Sequence, residues 1–281
     1  MDGRQQTTRM AAAKRRPLGN IRNMVQTVTD KVLRSRKKPK KSEICSGDES
    51  GDMVEYLREK ERRQFVKENR GIVSKENRSR LVEYLMQLRH LLPLQQETLE
   101  LAVGLVDRSL FLVTQIRPQL QYLGLAALLV AGKYEETEFW ADDLLQTADV
   151  GAKNLIEWEQ RLLQEIDFAV DLVVPSHFFS SGNHSERIQK LAVYFCNIGL
   201  YSGIRLLPSK LAATALALSC ELCDLPLDQQ NFSSSLSDLA HAVLEVEMRG
   251  SQKKLAMTTE YEVNGGQMTE KMMTRLQEIC P

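Results

Sequence analysis

The stretch LGLAALLVAGKYEETEF, residues 123–139, is the part of the sequence that most directly indicates the fold. Eight of its first nine residues are apolar, so it predicts a helix that is buried on all sides. The apolar run ends where Lys133, Glu135 and Glu136 arrive together. The helix dipole favours a cation in the last turn, which is one explanation of Lys133. The other explanation is that this end of the helix reaches a surface that binds another chain.

Helical periodicity continues through most of the chain beyond residue 50, and no segment shows a convincing period-two alternation. A linker around VVPSHFF, residues 173–179, separates two sets of helical segments. The predicted helices cover residues 51–66, 77–88, 95–112, 118–134, 141–150, 152–168, 185–201, 207–223, 234–249 and 266–280. The pattern therefore predicts an all-α fold with two consecutive helical domains of similar size.

The charges are divided unevenly along the 281 residues, although the net charge is zero. Residues 1–42 contain 13 basic and 2 acidic residues, and the remainder contains 24 basic and 35 acidic residues. The basic segment has no apolar periodicity, so we predict that residues 1–50 form a disordered regulatory tail. No apolar run approaches the roughly 20 residues of a membrane span. Five cysteines without a secretory signal point to a reducing compartment.

Three charged residues, Arg78, Asp107 and Glu159, fall on the apolar faces of predicted helices. A buried charge without a partner is strongly destabilising, so each of them should be paired. The simplest arrangement is an Arg78–Asp107 salt bridge that braces the first domain internally. Glu159 can pair with Lys133 as a second internal contact, or the two can bind backbone groups of another chain together.

Several segments resemble the cyclin box in the order in which they occur. They are ETLELAVGLVDRSL, LQYLGLAALLVAGKYEE and LIEWEQRLLQEIDF. VEYLREKE resembles the helix that precedes the box in mitotic B-type cyclins, and VVPSHFF resembles their link to a second fold. KLAVYFCNIGLY and LLPSKLAATALAL resemble the start of that second fold. The resemblance to B-type cyclins extends over about residues 52–262.

The resemblance implies two tandem five-helix cyclin folds behind the basic tail. An N-terminal helix would occupy residues 51–70, the cyclin box residues 71–172, and the C-terminal cyclin fold residues 173–281. The implied function is that of a regulatory subunit, not an enzyme, that binds and activates a mitotic cyclin-dependent kinase at G2/M. No cofactor, metal or catalytic residue is implied, and the partners are the kinase, its substrates and a ubiquitin ligase.

The resemblance assigns kinase binding to Lys133 and Glu159, with Glu135 and Glu136 beside them. It also identifies the Arg78–Asp107 pair with the internal salt bridge of the family.

The family has a surface patch that docks basic–leucine peptides of substrates, and this patch is altered here. Leu81, Tyr84 and Gln121 fit it, but Asn77 and Arg80 replace apolar residues. An arginine in an apolar groove repels cationic ligands, so we predict weak or altered docking.

The segment RRPLGNIRN matches the destruction box of mitotic cyclins, R-x-x-L-x-x-I-x-N, at Arg15, Leu18, Ile21 and Asn23. The receptor implied is the anaphase-promoting ubiquitin ligase, and the alternative is a solvated charge run. A KEN degron is possible at Lys67, Glu68 and Asn69. A second KEN copy, residues 75–77, is predicted to belong to the start of a helix.

The segment RSRKKPKK has the form of a nuclear import signal, so we expect the protein in nucleus and cytoplasm. Its basic residues are Arg34, Arg36, Lys37, Lys38, Lys40 and Lys41. Nucleic-acid binding is the rival interpretation, but the acidic remainder of the chain would repel phosphate.

The alternative function is that of a nucleic-acid-binding double cyclin-fold transcription factor. Such factors usually carry a zinc ribbon and a basic body, and this sequence has neither. Cys220 and Cys223 form a C-x-x-C inside an apolar run, and we predict buried thiols there. An enzyme is disfavoured because the four histidines are scattered and no glycine-rich phosphate loop is found.

Overall fold

The computed structural model describes residues 49–64, 73–113, 119–139, 141–181, 185–224, 233–248 and 268–280. The predicted destruction box, the nuclear import signal and the first KEN motif lie outside these ranges.

The described ranges contain ten α-helices and two short 3-10 helices, and no strand is found within them. The α-helices are α1 (Glu49–Gln64), α2 (Lys75–Leu91), α3 (Gln96–Ser109), α4 (Gln119–Glu135), α5 (Ala141–Ala148), α6 (Ala152–Glu165), α7 (Glu186–Ser202), α8 (Pro208–Leu222), α9 (Ser233–Met248) and α10 (Glu270–Ile279). The 3-10 helices are Leu110–Leu112 and Pro175–Ser181. The all-α prediction is confirmed.

Helix α4 lies at the centre of the first group of helices, α2 to α6. Every residue from 123 to 132 is buried, as the apolar run predicts. α4 packs against α2, α3 and α6. Gly124 allows the close approach of α2, because a Cβ at this position would lie 2.6 Å from Leu81 Cδ1. The apolar sequence of α4 is therefore explained by neighbours on several sides.

The second group consists of α7 to α10 in the part of the chain that is described. α7 and α8 pack against each other, α9 covers both, and α10 packs on α8 and α9. The N-cap of α10 is Thr269, whose side chain accepts a hydrogen bond from the Met272 N–H.

Arg78 joins the two groups of helices. Its Nε and Nη2 donate to Asp107 Oδ1 and Oδ2 at 2.6 and 2.7 Å, so the predicted salt bridge is present in a bidentate form. Its Nη1 donates to the Leu200 carbonyl of α7 at 2.7 Å. Ser79 Oγ donates to the Tyr201 carbonyl at 2.8 Å. These bonds satisfy carbonyl groups in the last turn of α7, a role that the sequence did not predict.

Helix α1 is bound to the second group of helices and to the linker through its C-terminal half. Glu61 is 2% exposed and accepts hydrogen bonds from the backbone N–H of Ser209, at 2.8 Å, and from the Ser209 hydroxyl. It thereby caps the N-terminus of α8. Gln64 bonds to the backbone of Asp171 and Val173 in the linker.

A buried carboxyl group, Glu100, lies where α3, the linker and α7 meet. It accepts hydrogen bonds from Gln96 Nε2 at 3.0 Å and from the Ser176 N–H at 2.9 Å. Gln96 Nε2 also donates to Asn197 Oδ1 at 2.7 Å. Burial raises the pKa of Glu100 to about 7, although the hydrogen bonds from Gln96 and Ser176 act in the opposite direction.

Because of the Glu100 carboxyl group, we expect the stability of the fold to decrease as pH rises. Because the native pKa of Glu100 is above the unfolded value, the native state binds more protons than the unfolded state between about pH 4.5 and 7. The free energy of unfolding should therefore decrease across that window, by about 3 kcal/mol at most. Urea denaturation at pH 5.0, 6.0 and 7.0 measures this loss.

The variant Glu100→Gln keeps a similar shape without the titration, so its free energy of unfolding should fall less steeply with pH. The exposed α6 residue Glu157 provides the control Glu157→Gln, which should retain the steeper fall. Equal slopes in the unaltered chain and in Glu100→Gln would contradict the prediction.

Candidate partner-binding site

Lys133 and Glu159 form a salt bridge where α4 ends. Lys133 lies in the last turn of α4, and Glu159 lies on the buried face of α6. Lys133 Nζ and Glu159 Oε1 are 2.7 Å apart. The glutamate side chain is 0% exposed and the lysine side chain is 14% exposed. The pairing that the sequence allowed is therefore present, with the lysine as its partly accessible member.

The charge pair has a local physical origin in the core. A buried carboxylate needs a cation, because its desolvation is otherwise uncompensated. The C-terminal end of α4 suits that cation, because the carbonyl groups of the last turn are partially negative. The pair thus lies at the boundary of the apolar core, where Lys133 is partly exposed.

Glu135 and Glu136 lie at the same edge and differ in their surroundings. Glu135 is the last residue of α4 and is half-buried. Glu136 Oε1 accepts hydrogen bonds from the Gln95 N–H at 2.7 Å and from Thr98 Oγ1 at 2.5 Å. Gln95 is the N-cap residue of α3, and its own side chain makes no capping bond. The sequence predicted partner binding for Glu136 and missed this internal role, because a cap from 41 residues away has no local signature.

The segment after Glu136 folds back over the end of α4. The ring of Phe139 lies against Gly132, and a Cβ on that glycine would overlap the ring. Glycine is therefore required at this position for the close approach.

The predicted substrate-docking patch is only partly at the surface. Tyr84 is half-buried and Gln121 is exposed, and Gln121 Nε2 lies 3.4 Å from the Tyr84 hydroxyl. Leu81 is 4% exposed and packs on Gly124, so most of its side chain lies in the core beneath the predicted patch. Arg80 is exposed and forms a salt bridge with Glu76 at 2.6 Å.

The second KEN copy forms the start of α2, as predicted. Ser74 is the N-cap, and its side chain accepts a hydrogen bond from the Asn77 N–H at 3.3 Å. Lys75 and Glu76 therefore belong to the first turn of a helix.

The cysteines of the C-x-x-C lie at the end of α8. Cys220 is buried and Cys223 is half-buried, and both are free thiols. Burial raises the pKa of the Cys220 thiol. Within the described ranges, no group of three or more His, Cys, Asp or Glu residues is arranged to hold a metal ion. None of the helices found there is long and apolar enough to cross a membrane.

The helical architecture has counterparts among solved structures. The X-ray structure of a viral cyclin from herpesvirus saimiri superposes with a TM-score of 0.56 and 17% identity, over 81% of this chain and 97% of that one. A chain of the yeast RNA Pol II CTD kinase CTDK-1 complex gives a TM-score of 0.52 and 13% identity, over 78% and 86% of the two chains. Residues 52–171 match the family model for the cyclin N-terminal domain. The matched range contains most of α1 and all of α2 to α6.

Curated relatives narrow the class further. The G2/mitotic-specific cyclin-B of Spisula solidissima is 30% identical over 218 residues, which cover 73% of this chain and 50% of the relative. The G2/mitotic-specific cyclin-B2 of Oryzias luzonensis is 36% identical over 199 residues, which cover 65% and 51%. The chain thus spans about half the length of these relatives. The chain thus resembles cyclins of the B-type group, as the sequence motifs indicated.

Proposed function

We propose that this chain is the regulatory subunit of a mitotic cyclin-dependent serine/threonine kinase, which it binds and activates at G2/M. It supplies no catalytic group itself. The observation that carries the proposal is the Lys133–Glu159 pair at one edge of a cyclin domain. The relatives' description as G2/mitotic-specific cyclins supports the timing.

The second group of helices is, in this proposal, a second cyclin fold within residues 173–281. Its support is the packing of α7 to α10 and the viral cyclin's match to 81% of this chain. The bonds from Arg78 and Ser79 to the last turn of α7 would hold the two folds in one orientation.

The proposed binding edge consists of Lys133, Glu159 and Glu135. Its charged groups are held by α4 and α6, so little side-chain freedom is lost when a partner binds. Lys133 and Glu135 are partly accessible and can hydrogen-bond the backbone of a mobile kinase segment, while the buried Glu159 holds Lys133 in place. Activation then follows as a population shift, in which binding favours the kinase conformation whose regulatory helix is inward and whose Lys–Glu pair and magnesium site are assembled.

The proposal also includes the predicted destruction box and the predicted nuclear import signal. Ubiquitin-dependent destruction would be directed by Arg15, Leu18, Ile21 and Asn23, with the anaphase-promoting ubiquitin ligase as receptor. These residues offer a charge, two apolar anchors and an amide, which suits recognition as a short peptide motif. Nuclear import would use the basic cluster at residues 34–41.

Replacing the charge pair tests the kinase-binding edge. The double variant Lys133→Met/Glu159→Gln is nearly isosteric and leaves no buried charge unpaired. It should lower the affinity for a purified mitotic cyclin-dependent kinase by about 2–5 kcal/mol, because charge-assisted bonds to the kinase are lost. Calorimetric titration measures the affinity, and histone phosphorylation measures activation.

The control for this experiment is Lys153→Met, which removes an exposed lysine of α6 away from the pair. Its affinity should match that of the unaltered chain. If the unaltered chain binds no such kinase, the proposed function is wrong. If the double variant binds as tightly as the unaltered chain, the proposed edge is wrong.

Substrate docking should respond to Arg80. Replacement by isoleucine removes a cation that repels basic–leucine peptides, so Arg80→Ile should raise the affinity for such a peptide about tenfold. Fluorescence anisotropy with a labelled peptide measures the change. Arg187→Ile, at an exposed position of α7, is the control. Equal peptide affinities of the unaltered chain and Arg80→Ile would argue against repulsion.

Destruction of the protein should depend on the predicted destruction box. The variant Arg15→Ala/Leu18→Ala should slow ubiquitination by the anaphase-promoting ligase and its activator, because both the charged and the apolar contacts are removed. The matched control Arg9→Ala/Met10→Ala removes the same charge and a similar apolar side chain from the tail. Equal rates of ubiquitination in both variants would reject the motif as the degron.

A further inference from the structure

Glu136 has an internal role that separates it from its neighbours at the proposed kinase-binding edge. We propose that Glu136 is a positioning residue, which holds the end of α4 and the following loop in a binding-competent shape without contacting the kinase. This inference rests on the proposed function and assigns a different task to one of its predicted contact residues.

The carboxylate of Glu136 supplies the N-terminal cap of α3 from outside that helix. Oε1 accepts from the Gln95 N–H at 2.7 Å and from Thr98 Oγ1 at 2.5 Å. Thr98 is 0% exposed, so one of the two hydrogen bonds of the Glu136 carboxylate is made to a fully buried side chain. A negative charge at a helix N-terminus is favoured both by the free N–H groups and by the helix dipole. The cap is therefore an electrostatic attachment between the loop and α3.

The backbone of Glu136 is attached to a second helix. Its N–H donates to the Gly132 carbonyl of α4 at 3.0 Å, which continues the helical bonding by one residue. Glu136 thus bonds to α4 through its main chain and to α3 through its side chain. Three residues later, Phe139 covers Gly132. Lys133 and Glu135 lie within the segment that these contacts enclose.

The consequence is that the attachment of this segment to α3 rests on the Glu136 carboxylate. Without the cap, the loop would lose its attachment to α3, and the end of α4 would be free to fray. A partner would then have to order the edge when it binds, which lowers the affinity. A residue that only contacted the kinase would act independently of Thr98, and this difference can be measured.

A double-mutant cycle with Thr98 tests the proposal. Thr98→Val keeps the shape of a buried side chain and removes the hydroxyl that Glu136 accepts. Because Thr98 is inaccessible to any partner, its effect on kinase affinity can only pass through the interior. We expect Glu136→Ala to weaken binding of the mitotic kinase about tenfold and Thr98→Val about threefold. The double variant should be no weaker than Glu136→Ala.

Two further variants complete the design. Glu136→Gln retains an acceptor oxygen and should recover part of the affinity that Glu136→Ala loses. Ser209→Ala is the matched control, because it removes a hydroxyl that bonds to a capping carboxylate, Glu61, at α8 in the second group of helices. It should leave the kinase affinity unchanged. Circular dichroism and urea denaturation identify the conditions under which every variant is folded, and the affinities are compared there.

The outcomes are distinct. Additive losses in the cycle, or a Thr98→Val chain that binds like the unaltered one, would overturn the positioning role and make Glu136 a contact residue. A Ser209→Ala chain as weak as Thr98→Val would assign the effect to stability in general and would overturn the role as well. Absence of kinase binding by the unaltered chain would reject the proposed function itself.

Discussion

Burial of α4 on several sides is the constraint on which the rest of this structure depends. A helix in this position can carry charge only near its ends, and residues 123–132 contain none. Lys133 is the first charged residue after the buried run, and the carboxylate that it neutralises is completely buried on α6. The proposed binding edge is thus a product of core packing. Its buried member, Glu159, is enclosed by the same packing that forms the core.

A recurring interaction fixes the elements around that core. Glu61, Glu100 and Glu136 each accept a backbone N–H from a distant part of the chain, at Ser209, Ser176 and Gln95 respectively. Each carboxylate satisfies a donor at the start of a helical segment, where donors have no partner within the helix. Directional bonds of this kind define an orientation more sharply than apolar contact does. They also give part of the acidic excess beyond the tail a structural purpose.

Part of this structure could be predicted from the sequence. The burial of α4 and the need of Arg78, Asp107 and Glu159 for charged partners follow from periodicity and from charges on apolar faces, which are local patterns. The caps formed by Glu61 and Glu136 join residues 148 and 41 positions apart and depend on tertiary placement alone. The burial of Leu81 against Gly124 likewise depends on how closely α2 approaches α4, which no local pattern shows.

The arrangement of the edge is suited to changing a partner's conformation. A regulatory chain can activate its partner only if it binds the active and inactive conformations of that partner with different affinities. Flexible contacts that adapt to both conformations contribute little to this difference. The Lys133–Glu159 pair cannot adapt easily, because the glutamate is enclosed and the lysine is bound to it. Rigid groups of this kind favour the one backbone arrangement that fits them. In the proposed function, a core-supported charge pair would therefore provide selectivity between conformations of the partner, which a pair of solvated side chains on a flexible loop would not provide.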